Sequence, residues 1–552
     1  MNDEQKYSRL DTAFAQFLTQ RTSFNQPEKA SFYALVAELS YQQAQGHSCI
    51  YVTEEQQILV KASALASEQT ISPLVLEKNR LYLQRYWFYE NRLAEQIRAC
   101  LQYSDSECNI NQQLSRYFVE LIDETDWQRE AAKKSLTHPF SVITGGPGTG
   151  KTTTVVKILA LLQELAIKQQ RPPLHIALAA PTGKAAMRLQ ESIGQNKQTL
   201  PCSESIKQSI PETVTTVHRL LGARPPSPYF KHNATNPLVY DLVMVDEASM
   251  IDLALMSKLF DALKPGSRVI LLGDKDQLSS VESGAVLSDL TTALPSYTTE
   301  LKKSYRFGGD IKTLALAVNA QKSDEAWAVL EREGDQVSLL KTDLIDAIVE
   351  RYALFLSYVK DNADIHTIFA AFNQFQVLCS NRHGEHGVIN INEQVEHKLT
   401  QQGKIKITGQ WYEGRPVMVT KNDTSMQLYN GDIGLYLYDK NAAKYVVFFL
   451  KADGSIKKLI PSRLPAHETV FAMTIHKSQG SEFDECLCVL PDKVNPVLTK
   501  ELVYTAITRA KKKLILFCEQ SVFRLALQQK VERTGGLLDK LTGKDAINKT
   551  AD

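Results

Sequence analysis

No apolar run in the sequence approaches the ~18 residues that a membrane-spanning helix needs, so no membrane span is expected. The first ten residues, MNDEQKYSRL, are polar and carry no hydrophobic signal region, which argues against secretion. Cysteine is sparse: eight in 552 residues, scattered, with no C-x-x-C and no His/Cys cluster at zinc spacing. That excludes a disulfide scaffold and a structural zinc site, and it points to a reducing, cytoplasmic setting. An excess of either charge is missing too. The net value is +1, so a nucleic-acid track, if present, must be a local basic surface. An acidic constellation of the metal-nuclease kind is also absent from the sequence.

What is there is an ordinary globular composition, 43% hydrophobic and 23% charged, in a chain long enough for about three to five domains. The strongest signal is Ser-Val-Ile-Thr-Gly-Gly-Pro-Gly-Thr-Gly-Lys-Thr, residues 141 to 152. An apolar strand enters a glycine-rich turn, and Lys151 and Thr152 open an apolar helix. This is the phosphate-binding loop in its required setting. Gly145, Gly146, Pro147, Gly148, Thr149 and Gly150 let backbone N–H groups converge on an anion. The helix N-terminus adds its positive end. Lys151 suits the β- and γ-phosphates of ATP, and the Thr152 hydroxyl suits Mg²⁺. Just upstream, Asp126 is placed to cap a helix, and Gln128 to read adenine through its amide.

Further strands end in chemistry. Ile176–Ala180 breaks at Pro181-Thr182-Gly183 and enters a helix, and a second polar turn follows at Thr215-Thr-Val-His218. Either turn suits a nucleic-acid phosphate or, more simply, caps a helix. Residues 222 to 238, rich in Pro and Asn, read as a protruding loop or hairpin. Leu242-Val-Met-Val-Asp246-Glu247 is an apolar strand ending in two acids: Asp246 for Mg²⁺ through its water shell, Glu247 for an attacking water. Gln277, after the strand Val269–Gly273, would sense the γ-phosphate, and Arg306 would stabilise its charge.

The flanks are less explicit. Residues 1 to 115 show helical spacing at Leu10, Phe14, Phe17 and Leu18, and a short strand pair near Cys49–Val52 and Leu81–Leu83. The aromatic stretch from Arg80 to Glu90 reads equally as a small core or as a docking face. His383 and His386 read as loop histidines, since no further ligand accompanies them. Residues 405 to 462 turn to short strands joined by Asn430-Gly431 and Asp453-Gly454, which suggests a small barrel inserted in a second α/β lobe. Thr474, His476 and Gln479 crowd one polar turn, and Arg509 stands on a helix before the strand Leu514–Phe517. Cys486 and Cys488 read as small core residues of a strand. The tail from about 535, rich in Gly and Lys, is expected to fray.

The succession QREAA, GGPGTGKT, APTGKAA, VDEASM, GDKDQL, SYRF, TIHKSQGSEF and YTAITRA resembles the superfamily 1 DNA helicases. Within them, GRPVMVTKND, LYNGDIG and RLYLQRYWFYE are similar to the RecD family, helicase subunits of exodeoxyribonuclease V. The resemblance implies an α/β fold with two RecA-like P-loop NTPase motor lobes, a helical N-terminal domain and an SH3-like β-barrel insertion in the second lobe. The implied limits are 1–115 for the N-terminal partner-docking domain and 116–300 for the first lobe, with 222–238 as its pin. The second lobe would take 301–404 and 463–552, and the barrel 405–462. The resemblance further implies ATP and Mg²⁺ as cofactors and 5′-to-3′ travel on single-stranded DNA from duplex ends. It implies RecB-like and RecC-like partner subunits in a bacterial cytoplasm, with the nuclease in the RecB-like partner. Gln277, Arg306 and Arg509 would surround the γ-phosphate, and Thr182, His218, Thr474, His476 and Gln479 would touch DNA. A stand-alone RecD-like helicase is the alternative, disfavoured by the short stretch before the first motor helix; an ATP-binding scaffold without motor activity is another.

Overall fold

The computed structural model describes residues 6–102, 110–118, 125–280, 282–303, 309–332, 334–423, 425–451 and 454–543. Among them no helix is long and apolar enough to cross a membrane. The protein is α/β, with two RecA-like lobes and an antiparallel β insertion in the second lobe.

The first lobe is a six-stranded parallel sheet in the order Val214–Thr216, Ile176–Ala180, Leu242–Val245, Arg268–Gly273, Phe140–Thr144, Thr298–Glu300. Its central strands are buried along their whole length, as expected of a sheet covered by helices on both faces. Alternate residues feed opposite cores: Val142 and Val243 join one apolar cluster, Ile143 and Met244 the other. The second lobe is a five-stranded parallel sheet, Val337–Leu339, Ala510–Phe517, Phe483–Val489, Phe375–Cys379, Ala472–Thr474. Cys486 and Cys488 are fully buried in it.

The insertion is a five-stranded antiparallel sheet, Ile456–Leu459, Lys444–Leu450, Ile433–Asp439, Arg415–Val419, His467–Thr469. Asp453, expected in one of its turns, lies outside the described residues. The two-residue alternation of its strands divides the side chains. Val417, Val419, Val447 and Phe449 form the insertion's own core, while Met418, Leu435, Leu437, Val446 and Phe448 join the core of the second lobe. The insertion therefore shares its packing with the lobe. Residues 222 to 238 form a small hairpin, with Lys231 N–H bonded to Gly222 O at 3.0 Å and His232 N–H to Leu221 O at 3.0 Å.

Ahead of the lobes, helices Arg9–Thr19 and Gln26–Ala44 start with capping boxes from Ser8/Asp11 and Asn25/Glu28. The expected strand pair has a third member: Leu74–Glu77 pairs with Arg80–Leu83 across a two-residue turn in which Lys78 takes φ of 56°. Of the residues at helical spacing, Leu10 and Phe17 are 75% and 51% exposed, so the buried face is narrower than the spacing suggests. In the aromatic stretch Leu81 and Tyr82 are fully buried and Tyr86 nearly so, whereas Phe88 is 45% exposed. Core filling accounts for most of it.

The C-terminal tail does not fray where it is described. After the second lobe's helix Gln520–Gln528, the chain crosses to the first lobe and the N-terminal domain, where its last described helix is Leu537–Thr542. Composition misled here, because the contacts are long-range. Arg533 donates to the carbonyls of Ser280, Glu282 and Gly284. Ser48 N–H bonds Thr534 O at 2.9 Å, and Gly536 N–H meets the buried Glu90 carboxylate at 3.0 Å. Lys540 pairs with Glu77, and Asp539 with Arg80. A side-chain carbon at Gly536 would lie 2.2 Å from Tyr82 Oη, so only glycine passes.

Candidate functional site: the cleft between the lobes

A cavity of about 600 Å³ opens where residues of the two lobes meet. From the first lobe it is lined by Gln128, Pro147, Gly148, Gly150, Lys151, Thr152, Asp246, Glu247 and Gln277, and from the second by Glu482 and Arg509. Sequence-expected residues from two lobes thus share one space. Gly145, Gly146 and Thr149 complete the loop behind it.

The loop follows from its local chemistry. Phe140–Thr144 is a buried strand that ends at the glycines, and Gly148 and Gly150 take φ of 75° and 81°. A side-chain carbon at Gly145 would stand 2.9 Å from Leu301 O and from Thr149 Oγ1. Thr149 Oγ1 donates to Gly146 O at 2.8 Å and tightens the turn. Lys151 Nζ donates to Gly145 O at 2.6 Å and Gly146 O at 3.1 Å, which holds its charge at the loop. Asp126 caps the preceding helix through the N–H groups of Gln128 and Arg129, and Gln128 Nε2 reaches Thr149 O at 3.3 Å.

On the facing strand end, Asp246 accepts from the Glu247 N–H at 2.9 Å. Burial, then the neighbouring Glu247 charge, pushes the Asp246 carboxyl up to about 7, with Lys151 acting in the opposite sense. Glu247 takes left-handed backbone, φ of 51° and ψ of 40°, a rare conformation for a side-chain-bearing residue and one that turns it away from the strand direction. The two acids and the Thr152 hydroxyl offer the hard oxygen donors that Mg²⁺ takes, opposite a lysine and an arginine that suit phosphate.

The seam between the lobes is polar and specific. Arg509, only 3% exposed, donates to Gln277 Oε1 at 3.0 Å, Thr505 O at 3.2 Å and Ser481 O at 3.1 Å. Gln277 in turn donates to Asp274 Oδ2 at 3.0 Å. Asp274 is pushed up to about 6, chiefly by burial, and accepts from Tyr504 Oη at 3.2 Å. Leu278 N–H donates to Thr505 Oγ1 at 3.0 Å, and Gln479 Nε2 to Leu278 O at 3.2 Å. Asp274, Tyr504 and Thr505 went unnoticed as seam residues; all three stand inside motifs already visible, GDKDQL and YTAITRA. Arg306 lies outside the described residues.

The expected nucleic-acid residues sit beyond the cavity on the same seam. Thr182 caps the helix Gly183–Gln198 through Ala185 N–H, and His218 packs edge-on against Phe230 at 5.8 Å. Thr474 accepts from Lys477 N–H at 3.4 Å, and burial lowers the affinity of His476 for a proton. This turn approaches the first lobe: a side-chain carbon at Gly480 would lie 3.6 Å from Ala185 Cβ. His386 pairs with Asp492 at 2.8 Å, and no metal-binding cluster occurs among the described residues.

Three family models match: an AAA domain over residues 128–283, a UvrD-like helicase C-terminal domain over 469–517, and the N-terminal domain of RecBCD enzyme subunit RecD over 3–57. The chain is 38% identical to the RecBCD enzyme subunit RecD of Haemophilus influenzae, across 85% of this chain and 81% of that one. It is 40% identical to the subunit of the same name from Mycolicibacterium smegmatis, across 84% and 82%. An ATP-dependent RecD2 DNA helicase of Deinococcus radiodurans is 32% identical across 84% of this chain and 59% of that protein.

Proposed function

Because the chain belongs to the RecD family, that of the RecBCD enzyme subunit RecD, we propose that closure of its interlobe cleft on ATP drives 5′-to-3′ travel along single-stranded DNA. The protein is an ATP-dependent DNA helicase of recombinational repair. Its partners on this reading are RecB-like and RecC-like subunits, which its N-terminal match to the RecD family supports. Its setting is the bacterial cytoplasm.

The roles follow from position. Gln128 reads adenine at the mouth of the cavity. Residues Gly145 to Gly150 turn their N–H groups to the phosphates, and Lys151 neutralises the β- and γ-oxygens. Thr152 and Asp246 would hold Mg²⁺, which when bound adds charge neutralisation at the same oxygens. Glu247 accepts the proton of the water that attacks the γ-phosphorus as the bond to the bridging oxygen breaks and ADP leaves. Gln277 and Arg509 sense and stabilise charge on the transferred group, and Arg306 is proposed to join them. Thr182, His218, Thr474, His476 and Gln479 would hold the strand on either side of the seam, so that a change in lobe spacing displaces it.

One observation carries the reading: Arg509 of the second lobe reaches Gln277 of the first at 3.0 Å in the wall of the cavity that Lys151 lines. The test is Lys151→Gln in the assembled enzyme, with Arg509→Ala beside it. DNA-stimulated ATP hydrolysis by this subunit should fall by about 10²-fold or more in both, with the fold intact. Unwinding of 5′-tailed duplex should fall with it. Undiminished hydrolysis in either variant would remove the cleft from the mechanism. Undiminished unwinding with hydrolysis lost would leave an ATP-binding scaffold. A stable, active monomer on gel filtration would favour the stand-alone helicase.

A further inference from the structure

The turn Tyr429-Asn430-Gly431-Asp432 leaves the second lobe's insertion and touches the first lobe at both of its expected strand-binding turns. The Tyr429 ring packs on Gly183, the residue after Thr182: a side-chain carbon at Gly183 would lie 3.3 Å from ring atoms Cγ and Cδ2. The Arg219 guanidinium, next to His218, lies 4.6 Å from the centre of the same ring. Asp432, three residues on, is close enough to Lys184 for each to shift the other's charge. Burial drives the Asp432 carboxyl up to about 6 and the Lys184 ammonium down to about 8, and each group opposes that drift in the other.

The turn is built to present these groups. Tyr429 N–H donates to Asp432 Oδ2 at 2.8 Å, and Asp432 N–H to Tyr429 O at 3.0 Å. Gly431 takes φ of 94° and its N–H bonds Val419 O at 2.9 Å, which fixes the tip to the adjoining strand. The tip thus offers a flat ring and a carboxylate held at a fixed spacing. Those are the two features by which single-stranded nucleic acid is held: a base that stacks on arginine, and an anion that draws a lysine near a helix N-terminus.

We propose that this turn is a bolt across the DNA track, and that the Tyr429 ring occupies the first lobe's strand-binding turns until single-stranded DNA displaces it. The proposal rests on Thr182 and His218 lining that track. Opening the bolt withdraws the ring from Gly183 and Arg219, leaving that cation to a base. The competent fraction of the protein, and with it the apparent affinity for DNA, is set by how often the bolt is open.

The test measures binding of a fluorescent oligothymidylate to the full-length chain carrying Tyr429→Ala, Tyr429→Phe or Thr182→Ala, with DNA-stimulated ATPase as second readout. Tyr429→Ala should bind about threefold to tenfold more tightly and reach half-maximal ATPase at correspondingly less DNA, with the DNA-saturated rate unchanged. Tyr429→Phe keeps the ring and should match the parent protein. Thr182→Ala should bind more weakly. Unchanged or weaker binding by Tyr429→Ala, with Thr182→Ala weakened, overturns the bolt and leaves the track standing; weaker binding would make Tyr429 a stacking platform for DNA. Binding by Thr182→Ala equal to the parent's overturns the track at that turn and the bolt with it.

Discussion

Two of the places where the second half of the chain returns to the first, both outside the ATP cleft, are made differently. The C-terminal strap brings one arginine to three backbone carbonyls, a glycine N–H to a buried carboxylate, and two ion pairs to the N-terminal domain. The insertion's turn brings one ring and one carboxylate. Buried groups whose partners are removed are costly, so the strap holds its two ends together through any cycle of the lobes. A single cation–π contact at an exposed arginine is worth about 0.5–1 kcal/mol, little enough for a ligand to replace. On the proposed reading, one crossing is a lasting tie and the other a reversible one. On the proposed motor cycle the lobes would rock about the strap, whose length between the helix Gln520–Gln528 and Arg533 is only a few residues.

The largest effect is expected where the tie is strongest. Arg533→Ala leaves the Ser280, Glu282 and Gly284 carbonyls without their donor and should cost about 3 kcal/mol, read by urea unfolding, with the tail newly open to limited proteolysis. A loss below about 1 kcal/mol would show that the strap is ornamental to stability.

A smaller effect, and one with a pH signature, belongs to Asp289 on the first-lobe helix Val286–Ala293. Burial, then the Glu90 and Asp539 carboxylates, pushes its pKa up to about 7. Below about pH 4 the group is protonated folded and unfolded alike. Between there and pH 7 the unfolded chain gives up the proton while the folded chain keeps it, so this stability drains away as pH rises and is gone above pH 7. Asp289→Asn removes that loss. Its thermal midpoint should equal the parent's at pH 4 and exceed it at pH 8, by about 1 kcal/mol in stability after allowing for partial solvent access. A difference that is flat with pH would assign the shift to packing.

The smallest effect sharpens the contrast. Tyr429→Ala should change global stability by less than about 1 kcal/mol, although DNA affinity moves several-fold. A loss comparable to that of Arg533→Ala would make the turn a structural tie like the strap.

The contrast also explains what the sequence could reveal. The phosphate loop, the acid pair at Asp246 and Glu247 and the arginine at Arg509 lie in short stretches where a buried strand meets a polar turn, and such signals are local. The insertion's strands were equally legible, because short apolar runs and the turn residues between them need no distant partner. The strap was not. Gly535, Gly536 and Lys540 read as loose chain until Tyr82, Glu77 and Glu90, more than four hundred positions upstream, are brought against them. The strand Leu74–Glu77 escaped notice because its turn uses Lys78 at positive φ in place of the usual glycine. At the seam, Tyr504 and Thr505 sit on a helix whose spacing shows only that one face is buried, with no sign that the burial is against Asp274 and Leu278 of the other lobe.

The left-handed backbone of Glu247 has a bearing on how this chain can evolve. Holding a side-chain-bearing residue there costs about 1–2 kcal/mol, a penalty glycine escapes. A screen that rewards heat resistance alone would favour glycine at position 247 and would strip out the proposed catalytic carboxylate while improving the protein by its own measure. The residue proposed to activate the attacking water is thus among the first that selection for folding alone would discard.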